Sequence, residues 1–451
     1  FSASTSLSTS SLVFPAYTNL TLSDENYVFT RSYQVPINNS GQISTLGDVI
    51  EGIIYYDGLG RPMQQTSIRS SDEYKDVLTH VGYDSFGRQD KEWLPIENTS
   101  ASYGSFRTGD QRAATNTFYR NKYPLDISST VSNQNAYSAK LFETSPLNRV
   151  LKQGAPGDTW RLDNQDDKGL VTFSYDTNVE ADNVKNYRVI FTNGDTTAPE
   201  LVQGATEYYN AGQLYKTVTK DENHDGGTSK NHTTEEFKDK QGRVVLKRTY
   251  GDSDTNGNGS IGSGESETRH DTYYVYDDFG NLTYVLSPKI DVISKTVSQI
   301  KTLLNELGYQ YKYDYRNRLI EKKIPGKGWE MIVYNNLDQP IMTQDALQAG
   351  KSPKEWLFTK YDAFGRVTYT GLIKSNLTRA QHQGNADAES DQYENTQSSA
   401  LTYGGGSFYY TDDAYPDLSS NSTNVTLYTV NYYDDYRFYG TSLPQYVYNV
   451  A

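Results

Sequence analysis

The chain has 451 residues, of which 42 are lysine or arginine and 56 are aspartate or glutamate, so its formal net charge is −14. A surface of that sign repels phosphate backbones, which excludes general nucleic-acid binding as a first interpretation. The absence of cysteine excludes a disulfide framework, a thiolate metal site and a cysteine nucleophile. Tyrosine is unusually common, with 40 residues against 15 phenylalanines, and this composition favours β-structure.

The amino-terminal segment differs in composition from the rest of the chain. Residues 1–24 begin with a run of serine, threonine and alanine, and we expect them to form a flexible lead. The chain starts with Phe1 rather than methionine, which is typical of a processed protein or a fragment. No run of about 18 apolar residues occurs anywhere, so the sequence predicts no membrane span.

One short pattern recurs along the chain: an aromatic residue, Asp or Asn, two further residues, Gly, and Arg or another polar residue. Clean copies occupy Tyr56–Arg61, Tyr83–Arg88, Tyr276–Asn281 and Tyr361–Arg366. Imperfect copies occupy Phe237–Arg243, Tyr313–Arg318, Tyr334–Gln339 and, one residue short, Tyr209–Gln213. The same local signal at so many places indicates an internal repeat rather than a coincidence of turns.

The pattern has a direct physical interpretation as a hairpin turn. Asp at the first corner and Gly at the fourth are typical of a type I turn followed by a left-handed residue that forms a bulge. Where Gly is missing, Asn317 and Asp338 replace it, and these residue types tolerate positive φ best. The third corner is often Phe or Leu, as in Phe86 and Phe364, and we expect these side chains to fold back onto the sheet.

The flanks of the turns alternate as strands do, so each copy predicts a β-hairpin. A hairpin cannot bury its face alone, and stacked hairpins form a long sheet or spiral. The alternative is an ordinary antiparallel domain whose turns happen to be similar. The fold class predicted is therefore all-β, built from stacked hairpin repeats, with one or two inserted helices.

Residues 254–265 satisfy every position of a calcium-binding loop pattern. The predicted ligands are Asp254, Asn256, Asn258, the Ser260 carbonyl and Glu265, the last of which closes the shell bidentately. Because only two ligands are carboxylates, we expect weak Ca2+ binding, roughly 10⁻⁴–10⁻³ M. The flanking segments are predicted strands, so the loop lies at a hairpin tip. The alternative is a solvated polar turn.

A second stretch carries part of the same pattern. Asp221, Asn223 and Asp225 occupy the first, third and fifth positions, and a glycine follows at the sixth. The twelfth position is His232 rather than Glu, so Glu235 or Glu236 would have to complete the shell. We therefore predict a second, less complete Ca2+ site over residues 221–236.

Other chemical signals are weak, and the sequence predicts a protein that is not an enzyme. The glycines at 257, 259 and 262 form a GxGxxG pattern, but they lie inside the calcium loop and not between a strand and a helix. The five histidines form no HExxH motif, no GxSxG elbow occurs, and no carboxylate pair stands out. No catalytic or cofactor-binding residue is predicted.

Two segments break the β pattern. Ile293, Val297, Ile300, Leu304 and Leu307 recur at helical spacing and end at a glycine, which predicts an amphipathic helix within 291–308. We expect this insertion to pack on its own sheet rather than on a partner. A second short helix is predicted within 107–122. The polar stretch 381–399 and the glycine run 404–406 are predicted loops.

The repeats resemble the YD repeats of RHS-repeat proteins, a group that includes bacterial RHS toxins, the shell subunits of insecticidal ABC toxin complexes, and teneurins. The resemblance covers about residues 55–450. Segments 25–31, 55–62, 145–150 and 155–160 resemble the N-terminal domain that often precedes RHS repeats in Bacteroidetes. The resemblance implies an N-terminal domain at 25–170 and a β-shell segment at 171–451, with insertions at 221–236, 252–265 and 291–308.

The resemblance also implies a function. RHS shells are hollow, and they often enclose a C-terminal toxin that is released by self-cleavage at an Asp- and Gly-rich motif. We find no such motif, so the expected partner, the chain's own C-terminal cargo domain, would lie outside this sequence. We expect a secreted or cell-surface bacterial protein, exported through the type IX secretion machinery. The alternative is a secreted adhesion or carbohydrate-binding protein that uses exposed aromatic residues.

Overall fold

The computed structural model describes residues 14–98, 102–128, 134–163, 167–224, 226–227, 229–252, 267–403 and 406–433. The chain divides into two units. The first comprises Phe1–Asp176, Thr217–Glu235 and Thr249–Arg269, and the second comprises Thr177–Lys216, Glu236–Arg248 and His270–Ala451. Within the described ranges, no helix has the length and apolar character needed to cross a membrane.

Strands dominate both units. They are β1 Asn26–Tyr33, β2 Val49–Tyr56, β3 Pro62–Ile68, β4 Asp76–His80, β5 Lys91–Trp93, β6 Ile96–Asn98, β7 Tyr137–Phe142, β8 Val150–Gly154, β9 Leu170–Thr177, β10 Lys185–Phe191, β11 Pro199–Tyr208, β12 Tyr215–Lys220, β13 Thr233–Lys238, β14 Val244–Asp252, β15 Glu267–Tyr276, β16 Leu282–Leu286, β17 Gly308–Tyr313, β18 Leu319–Lys323, β19 Glu330–Tyr334, β20 Pro340–Gln344, β21 Glu355–Tyr361, β22 Val367–Lys374, β23 Thr396–Tyr403, β24 Gly406–Tyr410 and β25 Val425–Val430. The helices are α1 Gln111–Lys122, α2 Val297–Leu307, α3 Ala346–Ala349 and α4 Arg379–Ala388.

The first unit begins with a five-stranded antiparallel sheet in the order β1-β2-β3-β4-β6. Strand β2 shows why it forms: its residues alternate between buried and more exposed positions, so Ile53 and Tyr55 enter the core beside Ile68. A second antiparallel run follows, in which β7 pairs with β5 and β8, and β8 pairs with β9. The predicted helix within 107–122 is confirmed as α1, which is capped by Asp110.

The predicted flexible lead differs from the structure over its described part, residues 14–24. The Tyr17 hydroxyl donates a hydrogen bond to Glu51 at 3.0 Å, and the Thr18 carbonyl accepts one from Arg69 at 2.6 Å. Leu20 and Leu22 pack against the core of the first sheet. The serine-rich composition concealed these apolar and aromatic anchors, which hold the segment on the sheet.

The second unit contains a continuous antiparallel meander from β15 to β22, and β25 adds to β22 at its end. The register shifts by one residue where the aromatic residue precedes each turn, at Tyr276, Tyr313, Tyr334 and Tyr361. This is the bulge that the turn pattern predicts. The all-β class and the stacked hairpins are confirmed. Two separate two-stranded sheets, β10 with β11 and β23 with β24, also belong to this unit.

The helical insertion within 291–308 is confirmed as α2. Thr296 caps its first turn in a capping box with Gln299, so the helix begins later than the apolar spacing predicts. Ile300 and Leu304 are buried in the core cluster that also contains Leu286. The helix therefore packs on its own unit, as expected.

The prediction of a loop over 381–399 was wrong. Helix α4 occupies the first part and β23 begins in the second. A capping box of Thr378 and Gln381 starts the helix, and the Gln383 side chain donates a hydrogen bond to the Tyr334 carbonyl at 2.7 Å. Only His382 and Ala386 of the helix are buried, so the sequence carries no long apolar stripe that would predict a helix here. Residues 404 and 405 of the glycine run lie outside the described residues.

Candidate functional site

The repeated turn has a fixed geometry, which the copy after β21 illustrates. The Asp362 backbone N–H donates to the Arg366 carbonyl at 2.9 Å, and the Gly365 N–H donates to the Asp362 carbonyl at 2.9 Å. One carboxylate oxygen of Asp362 accepts from the N–H groups of Phe364 and Arg366, each at 2.9 Å. The other accepts from the Arg366 guanidinium at 2.7 Å. The carboxylate thus fastens both ends of the turn, and we call this arrangement the turn clamp.

The same clamp closes the clean copies and three of the four imperfect ones, whereas at Tyr209–Gln213 the Asn210 backbone N–H donates to the Gln213 side chain at 2.8 Å. The further residue pairs that form it are Asp57–Arg61, Asp84–Arg88, Asp239–Arg243, Asp277–Asn281, Asp314–Arg318 and Asn335–Gln339. In the first of these, the hydrogen bond from the Arg61 backbone N–H is the main cause that lowers the pKa of Asp57, and the guanidinium adds to it. The sequence repeat therefore corresponds to a structural repeat.

Charge is not essential to the clamp. Asn335 accepts from the backbone N–H groups of Leu337 and Gln339 at 3.0 and 2.9 Å, while its amide donates to the Gln339 side chain at 2.8 Å. The fourth corner keeps its positive φ when glycine is absent, with φ of 60° at Asn317 and 63° at Asp338. Both substitutions thus confirm the predicted turn type, and the shared feature is a side-chain oxygen that accepts two backbone N–H groups.

Several clamps are also linked to the aromatic residue that begins a later copy. The Arg61 guanidinium lies over the Tyr83 ring at 4.4 Å, and the Tyr83 hydroxyl donates to the Pro62 carbonyl at 2.9 Å. Arg318 lies over the Tyr334 ring at 4.8 Å, and the Tyr334 hydroxyl donates to the Leu319 carbonyl at 2.9 Å. Such a cation–π contact contributes about 0.5–1 kcal/mol when exposed.

We call this repeated contact the arginine–tyrosine rung. A further rung closes the last described turn, where Arg366 lies over the Tyr433 ring at 4.3 Å and the Tyr433 hydroxyl donates to the Val367 carbonyl at 3.0 Å. The rung explains why tyrosine occupies these positions. Phenylalanine would preserve the ring face but not the hydroxyl donor, whereas tyrosine supplies both.

Sequence reasoning missed one member of this series. Glu143 accepts hydrogen bonds from both the backbone N–H and the guanidinium of Arg149, at 3.1 and 2.9 Å, and Asn148 before it has φ of 52°. Arg149 lies over the Tyr175 ring at 4.5 Å, and the Tyr175 hydroxyl donates to the Val150 carbonyl at 2.9 Å. The sequence does carry Asn148 and Arg149 before a strand. However, Glu143 takes the place of the usual aspartate, and it lies six residues before the arginine rather than four.

The expectation that the third-corner side chains fold back onto the sheet was wrong. Phe86 and Leu59 are each 79% exposed, and Phe364 is 81% exposed. The clamp explains this outcome, because the backbone N–H of the third-corner residue points inward to the aspartate. Its side chain is consequently directed outward at the tip of the hairpin.

The predicted calcium ligands of the first loop, Asp254, Asn256, Asn258, Ser260 and Glu265, all lie outside the described residues. The strands predicted on either side are confirmed as β14 and β15. Calcium binding by this loop stays a prediction.

The second loop is described in part, since Asp225 lies outside the described residues. Asp221 accepts from the Asn223 backbone N–H at 2.8 Å, and its other oxygen lies 3.3 Å from Nδ1 of His232, the twelfth position. Glu235 accepts from Lys230 at 3.1 Å and from the Tyr250 hydroxyl at 2.9 Å. The structure thus brings Asp221 together with His232, while Glu235 contacts the Lys230 ammonium group and the Tyr250 hydroxyl.

Glu236, the other candidate, lies 2.7 Å from the Lys238 ammonium group. Across the described ranges, no group of three or more His, Asp or Glu side chains is arranged to hold a metal ion. The second calcium site, like the first, stays a prediction.

Comparison with known proteins gives one match to a family. Residues 29–176 match the model of a family described as "Domain of unknown function (DUF6443)". This range is about a third of the chain. No curated protein is significantly similar to the chain in sequence.

Several solved structures are similar to part of the chain. A crystal structure of TcdB2-TccC3-Cdc42 has a TM-score of 0.44 and 14% identity, covering 85% of this chain and 16% of that one. TcdB2-TccC3 has a TM-score of 0.43 and 12% identity, covering 75% and 14%. The Photorhabdus luminescens Tc holotoxin pore, with a mutated TccC3, has a TM-score of 0.42 and 12% identity, covering 85% and 17%. The chain thus spans about a sixth of the length of these structures.

Proposed function

We propose that the chain is a wall segment of an RHS-type shell, a structural part of a larger protein that encloses and delivers a toxin or effector domain. The observation that supports this proposal is the turn clamp joined to the arginine–tyrosine rung. The rung ties the turn at Asp57 to Tyr83, and the turn at Asp314 to Tyr334. A device that fixes each hairpin against a neighbour suits an extended wall.

The residues of the clamp have no catalytic role in this proposal. Each aspartate is occupied by backbone N–H groups and a guanidinium of its own turn, as at Asp84 and Asp314. These groups hold the wall together, and the chain as a whole is not an enzyme acting on an external substrate.

The cargo, the export route and the location extend the proposal. The cargo would be the protein's own C-terminal domain, and contact with the type IX secretion machinery would accompany export to the cell surface or beyond. Two sequence features support an extracellular location: the net charge of −14 and a calcium loop with few carboxylates. Weak calcium sites fill only where the free ion is abundant.

The test uses the full-length protein to which the chain belongs. We expect electron microscopy to show a hollow particle, and limited proteolysis to leave the C-terminal domain intact until the wall is opened by denaturant. A solid particle with a C-terminal domain that protease removes at once would contradict the shell.

A second candidate function is adhesion or carbohydrate binding by a secreted surface protein. The observation that favours it is the exposure of aromatic side chains at hairpin tips, 79% for Phe86 and 81% for Phe364. Glycan-array binding that is lost in the double variant Phe86→Ser and Phe364→Ser, with an unchanged fold, would favour adhesion over the shell.

Calcium binding is tested separately. We expect isothermal titration to show weak Ca2+ binding that Asp254→Ala abolishes, with Asp221→Ala reporting on the second loop. Protease sensitivity between residues 221 and 265 should increase when chelator removes the ion. Identical sensitivity with and without chelator would contradict a structural role for calcium.

A further inference from the structure

A buried cluster of ionisable side chains lies in the second unit, away from the turn clamps. Lys360 belongs to β21, where Trp356 and Phe358 occupy the preceding inward positions. The alternation therefore places a lysine where an apolar residue is expected. Its side chain is 0% exposed, as is that of Glu394, while that of Asp412 is 5% exposed.

The three side chains are in direct contact. The Lys360 ammonium nitrogen Nζ lies 2.8 Å from Oε1 of Glu394 and 3.0 Å from Oδ1 of Asp412, and it also donates to the Ala414 carbonyl. The Tyr369 ring lies 5.8 Å from Nζ on another side. The lysine is thus held between two carboxyl groups inside an aromatic core.

The remaining oxygens of the two carboxyl groups are also engaged. Oδ2 of Asp412 accepts from the backbone N–H groups of Leu418 and Ser419, both at 2.9 Å. Oε2 of Glu394 accepts from the Thr411 hydroxyl at 2.7 Å and from the Asp413 N–H at 3.0 Å. Backbone N–H groups and the Thr411 hydroxyl therefore fix both carboxyl groups in position around Nζ.

The charge balance of the cluster is unfavourable. One ammonium faces two carboxylates, so a fully ionised cluster buries a net negative charge, and such burial is costly. Burial raises the pKa of the Asp412 carboxyl, against the opposing effect of Lys360. A proton transferred from lysine to Asp412 gives an amine beside a carboxylic acid, which are the reactants of amide formation.

We propose that Lys360 and Asp412 form an intramolecular isopeptide bond, with Glu394 as the catalytic residue. The Lys360 amine attacks Cγ of the protonated Asp412, and Glu394 takes a proton from Nζ as the C–N bond forms. The negative charge that develops on Oδ2 is stabilised by the N–H groups of Leu418 and Ser419. Glu394 returns the proton to Oδ1, the C–O bond breaks, and one water molecule leaves.

The step balances without any co-reactant, because an amine and a carboxylic acid give an amide and water. Proximity supplies the main acceleration, since the fold holds both groups in contact before reaction. The bond would join β21 to the segment after β24 and close a covalent loop that contains β22, α4, β23 and β24. It is a single reaction within the chain's own fold and not a turnover of substrate.

The test is the mass of the purified 451-residue chain. We expect the intact mass to be lower than the sequence mass by one water molecule, and to stay lower in denaturant. Tryptic mapping should yield a branched peptide that joins Lys360 to Asp412, because trypsin does not cleave after an acylated lysine. Glu394→Gln should restore the full sequence mass while circular dichroism stays unchanged.

The matched control is Glu321→Gln, which alters the partner of another lysine, Lys312, at 2.8 Å on a more accessible surface. This variant should keep the mass deficit. A wild-type chain at full sequence mass would overturn the proposal and leave a buried ion pair. A deficit that maps elsewhere, such as a cyclised aspartate at Asp57–Gly58, would overturn it equally. Neither result depends on whether a variant folds.

Discussion

Strand β21 and the turn that follows it hold two very different arrangements of cation and carboxylate. In the turn clamp, Arg366 meets Asp362 at 2.7 Å with side chains 34% and 12% exposed. Two residues earlier, Lys360 meets Glu394 and Asp412 at similar distances with almost no exposure. Contact geometry is therefore alike, and the surrounding solvent distinguishes the two.

The difference teaches what each arrangement contributes. An exposed pair gains little Coulomb energy, because water screens it and long side chains lose freedom. The clamp is useful for its hydrogen bonds, so a neutral Asn335 can replace the aspartate. A buried pair has no such substitute, since removal of one partner leaves an uncompensated charge in the core.

The largest expected effect comes from the buried cluster. Lys360→Met should destabilise the chain by about 3–5 kcal/mol, because Glu394 and Asp412 lose the lysine nitrogen that they share in an apolar core. Urea unfolding followed by fluorescence measures the loss. The matched control, Lys312→Met, removes a lysine from a partly exposed pair with Glu321 and should cost less than about 1 kcal/mol. Equal losses of stability in both variants would show that burial does not distinguish the two lysines.

The second prediction concerns the dependence of stability on pH. It rests on His382 of α4, whose ring packs against Trp356 of β21. Burial lowers the pKa of His382 to about 4, below its ordinary value of about 6.5. Between these values the unfolded chain binds a proton that the folded chain does not, so stability should fall as pH decreases from about 6.5 to about 4.

His382→Asn removes this titration and keeps a polar group toward the Tyr415 hydroxyl, which lies 2.6 Å from Nδ1. The difference in unfolding free energy between wild type and variant should therefore shrink as the pH falls through that window. A difference that is constant from pH 7 to pH 4 would show that the histidine does not contribute.

The third prediction separates charge from hydrogen bonding in the clamp. Asp362→Ala should cost about 2 kcal/mol, because two backbone N–H groups and the guanidinium lose their acceptor. Asp362→Asn should cost less than half of that, since it reproduces the arrangement at Asn335. Thermal unfolding of both variants gives the ratio, and an equally damaging asparagine would mean that charge dominates.

The fourth prediction concerns the left-handed corner. Gly365 has φ of 77°, so Gly365→Ala should cost about 1–2 kcal/mol through backbone strain. Gly58 offers a matched control, because a Cβ there meets nothing within 4 Å and its φ is not positive. Gly58→Ala should be close to neutral in the same denaturation experiment. Similar losses at both positions would contradict the turn assignment.

The smallest effect is expected at the hairpin tips. Phe364→Ser removes a side chain that is 81% exposed, so the unfolding free energy should change by less than about 0.5 kcal/mol. A decrease in unfolding free energy above about 1 kcal/mol would indicate that the third-corner side chain packs on the sheet.

The repeat was predictable because its chemistry is local. Asp, an αL-tolerant residue and Arg stand at fixed spacing, so the turn type and even the substitutions at Asn317 and Asp338 follow from the sequence. The outward direction of Phe86 did not follow, because it depends on which backbone N–H the aspartate engages. Hydrophobicity alone predicts that Phe86 packs on the sheet, whereas its side chain is exposed at the hairpin tip.

The buried cluster could not be predicted, because its members are far apart in sequence. Lys360, Glu394 and Asp412 are ordinary charged residues in a chain rich in them, and only the packing of β21 against the segments around 394 and 412 brings them together. Helix α4 escaped prediction for a related reason, since tertiary contacts rather than a long apolar stripe hold it. The two predicted calcium loops still await measurement.

The arginine–tyrosine rung has a consequence for how such a chain changes over generations. Each rung is a contact with a neighbouring hairpin, as between Arg318 and Tyr334. A substitution in one copy therefore disturbs the rungs of its neighbours at most. Duplication or deletion of a whole copy would leave the rungs of the other copies in place. Copy number can then set the length of the array.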